Sequence, residues 1–305
     1  MAKNTRNEMQ KYTDKYFLRF NEILKAKNLN PWVNMQVFVR KGPGKVAGLE
    51  EAIDIITSNS NIAEVGGRIY TLPRENFYRP GETQMNIIAP IQEIAELETV
   101  YLGVIAAAVT RENDKKDLDF NSIGQQMREV SDLAGDRPVL YFGARHWHWT
   151  YDQALANLDF ANGCASVATD NGAETAGKKG VGTIPHALEN IMAYYHGFDN
   201  AVVESTKAFD EVIDPKVPRI ALVDYANKEI TDTLATAEAL EGRLYGVRVD
   251  TCGENLAEGG MKGDQKYWEG KGVTVYGVQA LRKELNESAY PDSKIALSSG
   301  FSNPK

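Results

Sequence analysis

The chain has 305 residues, 43% hydrophobic and 25% charged, and its 34 basic and 42 acidic side chains give a net charge of −8. This length allows one large domain or two medium ones. The acidic balance, without a block of Lys and Arg, argues against a nucleic-acid partner. No apolar run reaches the roughly 20 residues of a membrane span, and the polar N-terminus is unlike a signal peptide, so we expect a soluble, cytoplasmic protein.

The first part of the chain, residues 1–136, predicts an α+β domain. Apolar residues at helical spacing predict helices, which cover residues 5–28, 47–57, 91–109 and 122–134. Short β-branched or aromatic runs, bounded by Gly and Pro, predict strands at residues 35–40, 68–72 and 84–88. Strands followed by a long helix, with no repeated unit, indicate one layered α+β domain.

From residue 137 to residue 305, short apolar runs alternate with amphipathic stretches. The predicted strands lie in PVLYFGARH, CASVATD, VGTIPHAL, RIALVDYA, YGVRVDT, VTVYGV and KIALSSG. Repeated strand–helix units predict a parallel sheet with helical crossovers. Six or seven units fit an irregular (β/α) barrel better than a doubly wound sheet, which stays possible. Because the last strand ends five residues before Lys305, the barrel is expected to be incomplete at its C-terminus.

Polar residues follow most of these predicted strands, and the carboxyl ends of barrel strands open on one face. They include Arg145, His186, Asp224, Arg248 and Asp250. We therefore expect a ligand site at the strand tips. Two arginines make that site suitable for carboxylate or phosphate, although either one could instead form an ion pair with an aspartate.

Two features suggest histidine chemistry. His186 lies between a predicted strand and a helix, where the positive end of the helix dipole favours a neutral imidazole. A neutral imidazole there could act as base, nucleophile or metal ligand, and a capping role is the alternative. His146 and His148, two apart on a predicted strand, would face the same way and suit one zinc ion, as in metal-dependent amidohydrolases. That class needs further histidines on later strands, and RIALVDYA and YGVRVDT contain none.

Several motifs, taken in order, resemble nicotinate phosphoribosyltransferase, a type II phosphoribosyltransferase. They are TDKYF, FVRKGPGKVAGLEEAIDII, LETVYLG, FGARH, GTIPHAL, GVRVDT and SSGF. The resemblance implies an N-terminal sandwich-like α+β domain followed by an irregular (β/α) barrel. It also implies synthesis of nicotinate mononucleotide from nicotinate and phosphoribosyl pyrophosphate in NAD salvage, with Mg²⁺ and with ATP as co-substrate, in a homodimer or larger homo-oligomer.

The resemblance also implies roles for individual residues. Phe142 would stack on the pyridine ring, with Tyr16 of a neighbouring subunit on its other face, and Arg145 would contact the substrate carboxylate or the nucleotide phosphate. His186 matches the histidine that ATP phosphorylates. Arg248 and Asp250 would hold the phosphoribosyl group and, together with His186, form the implied catalytic set. Ser299 with Gly300 would begin the 5′-phosphate site, and Thr183 and Asp224 are further implied substrate-binding residues.

The sequence departs from the family pattern at its end, because relatives continue past SSGF to a second glycine-rich phosphate loop. A non-catalytic nucleotide-binding paralogue is therefore an alternative to the enzyme. VDYAN replaces the more usual VDT-type ending, which leaves the role of Asp224 open. Quinolinate phosphoribosyltransferase needs a basic turn after the first barrel strand, and FGARHWHW does not provide one.

Overall fold

The computed structural model describes residues 8–73, 76–261 and 270–301. The chain divides into two compact units, Met1–Gly182 and Thr183–Lys305. Residues 137–182, which the sequence assigns to the barrel, belong to the first unit, and the predicted domain boundary at residue 136 stays a prediction. Within the described ranges, no helix is both long enough and apolar enough to cross a membrane.

The first unit combines helices with a small antiparallel sheet. Its helices are α1 Lys15–Ala26, α2 Leu49–Asn59, α3 Ile91–Ile94, α4 Glu98–Val109, α5 Phe120–Ala134, α6 Asp152–Ala161 and α7 Asp170–Ala173. Its strands are β1 Trp32–Phe38, β2 Gly44–Lys45, β3 Arg68–Thr71, β4 Phe77–Tyr78, β5 Thr83–Pro90, β6 Leu140–Tyr141 and β7 Ser166–Val167. Strand β5 lies between β1 and β3, and both pairings are antiparallel. The sequence-predicted strands of residues 1–136, and the helices predicted at 47–57 and 122–134, are therefore confirmed with ends shifted by a few residues. The predicted helix 5–28 is interrupted by a 3₁₀ turn at Gln10–Tyr12 before α1 begins at Lys15, and its first residues, 5–7, lie outside the described ranges. The predicted helix 91–109 is divided into α3 and α4 by a 3₁₀ turn at Ala95–Leu97.

Helix α1 shows why this unit folds as the sequence predicts. Its apolar residues recur every three or four positions, so Phe17, Phe20, Ile23 and Leu24 share one side of the helix and are all nearly inaccessible to solvent. The longer α4 is apolar around most of its circumference and is correspondingly buried on most faces. Strands β6 and β7 are parallel neighbours.

The second unit contains a three-stranded parallel sheet with β9 in the middle. Its strands are β8 Ile220–Leu222, β9 Gly246–Val249 and β10 Lys294–Leu297, in the order β10-β9-β8. Its helices are α8 His186–His196, α9 Ala201–Val212, α10 Glu229–Ala239 and α11 Val275–Glu287. Apolar side chains of the strands and helices form one core, in which Val223, Ala237, Val247, Leu281 and Leu285 are buried. Helices alternating with parallel strands confirm the predicted α/β class.

Two of the predicted barrel strands are wrong. The run VTVYGV lies at the start of α11: Thr274 caps the helix by accepting a hydrogen bond from the backbone N–H of Gly277, and the buried Leu281 and Leu285 follow at helical spacing. The β-branched residues misled the prediction because capping and burial outweigh β propensity here. Residues 181–185 of VGTIPHAL form no strand and lead directly into α8.

Candidate active site

The first candidate cluster lies in the first unit and contains Tyr16, Phe142 and Arg145. Tyr16 is the second residue of α1 and is buried, and Phe142 directly follows β6. The two rings are parallel, with 6.3 Å between centroids and 4° between planes. Both rings belong to one chain. Within the chain, α1 already brings Tyr16 to Phe142, and the expected approach of Tyr16 from a neighbouring subunit stays a prediction.

Arg145 brings positive charge to the aromatic pair. Its Nη1 donates a hydrogen bond to the Tyr16 hydroxyl, and its guanidinium carbon lies 5.8 Å from the centre of the Tyr16 ring. Burial raises the pKa of Asp14 to about 6 and that of Glu98 to about 7, and the charge of Arg145 opposes both shifts. The cluster therefore joins an aromatic pair and a guanidinium to two carboxyl groups that titrate near neutral pH.

A close approach of backbones holds Arg145 in place. Gly103 lies in the middle of α4, and a Cβ added there would be 2.2 Å from the carbonyl oxygen of Trp147 and 3.3 Å from that of Ala144. Only glycine lets α4 pass this close to residues 144–147. The segment that carries Arg145 is therefore packed directly on the helix that carries Glu98.

The start of α1 is fixed in a similar way. The backbone N–H of Lys15 donates to the carbonyl of Ala168 at 2.8 Å, and its Nζ lies 2.7 Å from Oδ2 of Asp170. A Cβ on Gly182 would be 2.7 Å from the backbone nitrogen of Tyr16. The chain following β7 therefore sets the position of the Tyr16 backbone.

The second candidate cluster lies in the second unit, around His186. This residue begins α8, after Pro185, and its side chain is 42% exposed. Its Nε2 lies 3.1 Å from Oδ2 of Asp224, and its Nδ1 lies 4.0 Å from Oδ2 of Asp250. Asp224 and Asp250 come just after β8 and β9, so the carboxyl ends of two adjacent parallel strands supply both carboxylates, as ligand sites in α/β proteins commonly do.

Arg248 links this cluster together. Its Nη1 lies 3.1 Å from Oδ2 of Asp250 and also donates to the Ser298 hydroxyl at 3.1 Å, while its Nη2 donates to the Ile184 carbonyl at 3.1 Å. The Ser298 hydroxyl donates to Oδ1 of Asp250 at 2.6 Å. Each charged group thus has an oppositely charged or polar neighbour, which fixes its geometry beside the partly exposed imidazole.

The predicted site residues therefore fall into two groups. Tyr16, Phe142 and Arg145 meet in the first unit, and the second unit brings together His186, Asp224, Arg248 and Asp250. Thr183 is half-buried three residues before His186. Ser299 and Gly300 are exposed, with φ values of 73° and 71°. Their predicted roles stay predictions.

Sequence reasoning did not select Ser298 as a site residue at the end of β10. It chose Ser299, whereas Ser298 makes the contacts with Arg248 and Asp250. The signal was available, because Arg248 pairs with Ala296, and residues two apart on a strand face the same side. Asp250 and Ser298 each follow that pair by two residues and so extend toward the same side.

The zinc interpretation of His146 and His148 is not supported. Residues 144–146 and 149–151 form short 3₁₀ turns, so the extended strand that would align the two rings is absent there. Both ring nitrogens of His148 are engaged, with Nδ1 2.8 Å from the Thr150 hydroxyl and Nε2 2.8 Å from Oε1 of Glu51. In the described parts of the chain, no group of three or more His, Cys, Asp or Glu side chains is arranged to hold a metal ion.

Solved structures have the same fold. Nicotinate phosphoribosyltransferase from Porphyromonas gingivalis matches with a TM-score of 0.63 and 11% identity, covering 97% of this chain and 85% of the other. The Vibrio cholerae nicotinate phosphoribosyltransferase gives 0.57 and 14%, covering 97% and 80%. A putative nicotinate phosphoribosyltransferase from Saccharomyces cerevisiae gives 0.55 and 12%, covering 79% and 70%. This chain has the nicotinate phosphoribosyltransferase fold. No protein-family model and no curated protein sequence matches it.

The likeness confirms the fold that the motifs implied. At 11–14% identity, it concerns the path of the backbone and not the chemistry of particular side chains. Any assignment of activity must therefore rest on the two side-chain clusters.

Proposed function

We propose that the protein is an enzyme that transfers the phosphoribosyl group of phosphoribosyl pyrophosphate to nicotinate, forming nicotinate mononucleotide and pyrophosphate in NAD salvage. The observation that carries this proposal is the parallel pair Tyr16–Phe142 beside Arg145. An aromatic pair suits a flat ring, and a guanidinium suits a carboxylate. Nicotinate combines a pyridine ring with a carboxylate.

The spacing of the aromatic pair shows how far the two rings must move to admit a substrate ring. A third ring stacked between two others needs about 7 Å between the outer rings, twice a carbon–carbon contact of about 3.5 Å. The observed distance between ring centroids, 6.3 Å, is shorter than that value, so the two rings would have to separate by about 1 Å to admit nicotinate. Since both rings belong to one chain, the clamp itself needs no second subunit. A homodimer is still expected from the resemblance, and size-exclusion chromatography with light scattering tests it.

The second cluster is proposed to bind the phosphoribosyl group. In the reaction, the pyridine nitrogen forms a bond to C1′ while the bond from C1′ to the pyrophosphate oxygen breaks, and that electron pair leaves with pyrophosphate. The ribose becomes positively charged in the transition state, and the carboxylate of Asp250 suits that charge. Arg248, held by Asp250 and Ser298, offers N–H groups to phosphate oxygens.

Mg²⁺ is proposed to enter as part of the substrate, bound to the phosphates of phosphoribosyl pyrophosphate. Magnesium usually binds through substrate phosphates and one or two carboxylates, not through a cage of protein ligands. A metal-binding group of three or more side chains is therefore not required. Its charge would neutralise the pyrophosphate as it leaves.

ATP is proposed to phosphorylate His186. With Nε2–H donated to Asp224, the lone pair of the imidazole is on Nδ1, the nitrogen that lies 4.0 Å from Asp250. Nδ1 would attack the γ-phosphorus of ATP, ADP would leave, and water would later remove the phosphoryl group. The 42% exposure of the side chain leaves room for a phosphate to approach.

The test is product formation by the purified full-length protein with nicotinate, phosphoribosyl pyrophosphate and Mg²⁺, with and without ATP. We expect nicotinate mononucleotide, formed faster with ATP, and we expect His186→Asn to abolish the stimulation but keep slow ATP-independent turnover. No product, under conditions where an established nicotinate phosphoribosyltransferase is active, would refute the proposal. If calorimetry then shows binding of nicotinate mononucleotide, the non-catalytic nucleotide-binding alternative is favoured.

Substrate comparison tests the role of Arg145. Replacing Arg145 with Met should weaken nicotinate binding by about tenfold or more, since a charge-assisted hydrogen bond is lost, while nicotinamide binding changes little. Quinolinate, with a second carboxylate, serves as a further comparison. An equal loss for nicotinate and nicotinamide would contradict carboxylate recognition by Arg145.

A further inference from the structure

Glu189 is a buried acid next to the histidine cluster. It lies three residues after His186 in α8, on the same side of the helix, and has no solvent-accessible surface. Neither of its carboxyl oxygens has a hydrogen-bond partner among the described residues. An ionised carboxylate without partners is very unfavourable in such a position.

The charged groups that act on Glu189 come from three neighbouring elements of the second unit. Asp224 follows β8, Arg248 and Asp250 come from β9 and its end, and Asp232 lies on α10. Three of these four groups are acidic. Burial, together with the three acids, holds the pKa of Glu189 well above its ordinary value, and only Arg248 opposes the shift.

Asp224 presents the matching unsatisfied atom. Its Oδ2 contacts Nε2 of His186 at 3.1 Å, whereas its Oδ1 is buried without a partner among the described residues. Buried acceptors of this kind are normally satisfied by a donor. The proton of a neutral carboxylic acid would satisfy Oδ1 of Asp224 and Glu189 together.

We infer that Glu189 carries a proton at neutral pH and donates it to Oδ1 of Asp224, forming a chain Glu189–Asp224–His186. Glu189 is then a positioning residue that acts on His186 through Asp224. The donated hydrogen bond orients the carboxylate of Asp224, so that Oδ2 accepts Nε2–H of His186 and the lone pair of the imidazole is on Nδ1. The protonation follows from the packing alone, whereas its effect on turnover rests on the proposed function of His186.

Infrared spectroscopy at pH 7.5 tests the protonation directly. The spectrum of the wild type minus that of Glu189→Gln should contain a carbonyl band of a protonated carboxylic acid. The control, Glu238→Gln, removes an exposed acid on α10 and should give no such band. If the wild-type minus Glu189→Gln spectrum shows only carboxylate bands, Glu189 is ionised and the inference is wrong. This result does not depend on any enzymatic activity.

Nitrogen-15 NMR of histidine-labelled protein tests the positioning. The chain has four histidines, and His186→Asn assigns the signal of His186. Wild type and Glu189→Gln, whose amide also donates, should both show the Nε2–H tautomer. Glu189→Met, of similar size but without a donor, should show a mixture of tautomers. An unchanged tautomer in Glu189→Met, or an equal change in both variants, would overturn the inferred chain.

A double-mutant comparison gives the kinetic consequence. Glu189→Met should lower the ATP-stimulated rate about tenfold, the size expected for one buried hydrogen bond, and Glu189→Gln should stay within about twofold of the wild type. In an Asp224→Asn background, Glu189→Met should have no further effect. A tenfold loss in that background would show that Glu189 does not act through Asp224. If Glu189→Met does not fold, the infrared difference spectrum of Glu189→Gln still decides the protonation.

Discussion

Replacing Asp159 with Asn should stabilise the protein at neutral pH and leave its stability nearly unchanged at acidic pH. Asp159 lies on α6 with no accessible surface, and neither of its carboxyl oxygens has a hydrogen-bond partner among the described residues. Burial raises its pKa from 3.8 to about 7. Asparagine has nearly the same shape as the neutral carboxylic acid, and its amide does not ionise as the pH rises.

The magnitude follows from the difference between the two pKa values. Between pH 4 and pH 7 the folded protein keeps the proton and the unfolded chain has lost it, so the free energy of unfolding falls as the pH rises. A rise from 3.8 to about 7, at 1.36 kcal/mol for each pH unit, amounts to about 4 kcal/mol above pH 7. The advantage of Asp159→Asn should therefore grow from near zero at pH 4 to at most about 4 kcal/mol above pH 7.

Urea unfolding followed by tryptophan fluorescence measures this difference. Trp32, Trp147 and Trp149 lie in the first unit, as Asp159 does. The difference between variant and wild type should be measured at pH 4.5, 5.5, 6.5 and 7.5, with Asp136→Asn as the control at an exposed position. A difference that is the same at all four values, or a destabilised variant at pH 7.5, would refute the reasoning.

Three further predictions concern the two clusters and their supports. Gly103→Ala should lower the free energy of unfolding by about 1–3 kcal/mol in chemical denaturation, because the 2.2 Å approach to the Trp147 carbonyl outweighs the better helix propensity of alanine; a stabilised variant would contradict this. Thr251→Val should lower the free energy of unfolding by about 1–3 kcal/mol in the same assay, since it leaves the buried Oε1 of Glu229 without its 2.6 Å hydrogen bond. The control Thr231→Val, at an exposed position, should lower it less. Equal losses of stability in the two variants would argue against the role of burial. The KM for nicotinate should fall as the pH is lowered from 8 to 6, because Glu98, with a pKa of about 7, gains a proton and then competes less with the nicotinate carboxylate for Arg145. This dependence of KM on pH should weaken in Glu98→Gln. An unchanged dependence in that variant would exclude Glu98 as its source.

The second unit shows how far sequence reasoning reaches. Arg248 and Asp250 could be placed together because Arg248 lies within β9, Asp250 follows its end, and residues two apart share a face. Their proximity to His186 could be expected from the parallel topology, and the distances of 3.1 and 4.0 Å to the two aspartates agree with it. Local patterning was therefore sufficient for Asp224, Arg248 and Asp250, but not for Ser298 at the end of β10.

Other features depended on tertiary packing, which a single sequence does not express. Thr274 and Val275 have β-branched side chains, yet the hydrogen bond from the Gly277 N–H to the Thr274 hydroxyl begins a helix there. Glu189 resembles any polar residue on a helix, and only the surrounding acids and complete burial distinguish it. Buried acids of this kind are visible only when the neighbours contributed by other elements are known.

The most direct measurement is a crystal structure of the protein with nicotinate bound. The pyridine ring is expected between Tyr16 and Phe142, with their centroids about 7 Å apart, and the carboxylate is expected on the guanidinium of Arg145. Nicotinate bound elsewhere, with these two rings still 6.3 Å apart and Arg145 still on the Tyr16 hydroxyl, would contradict the proposed recognition.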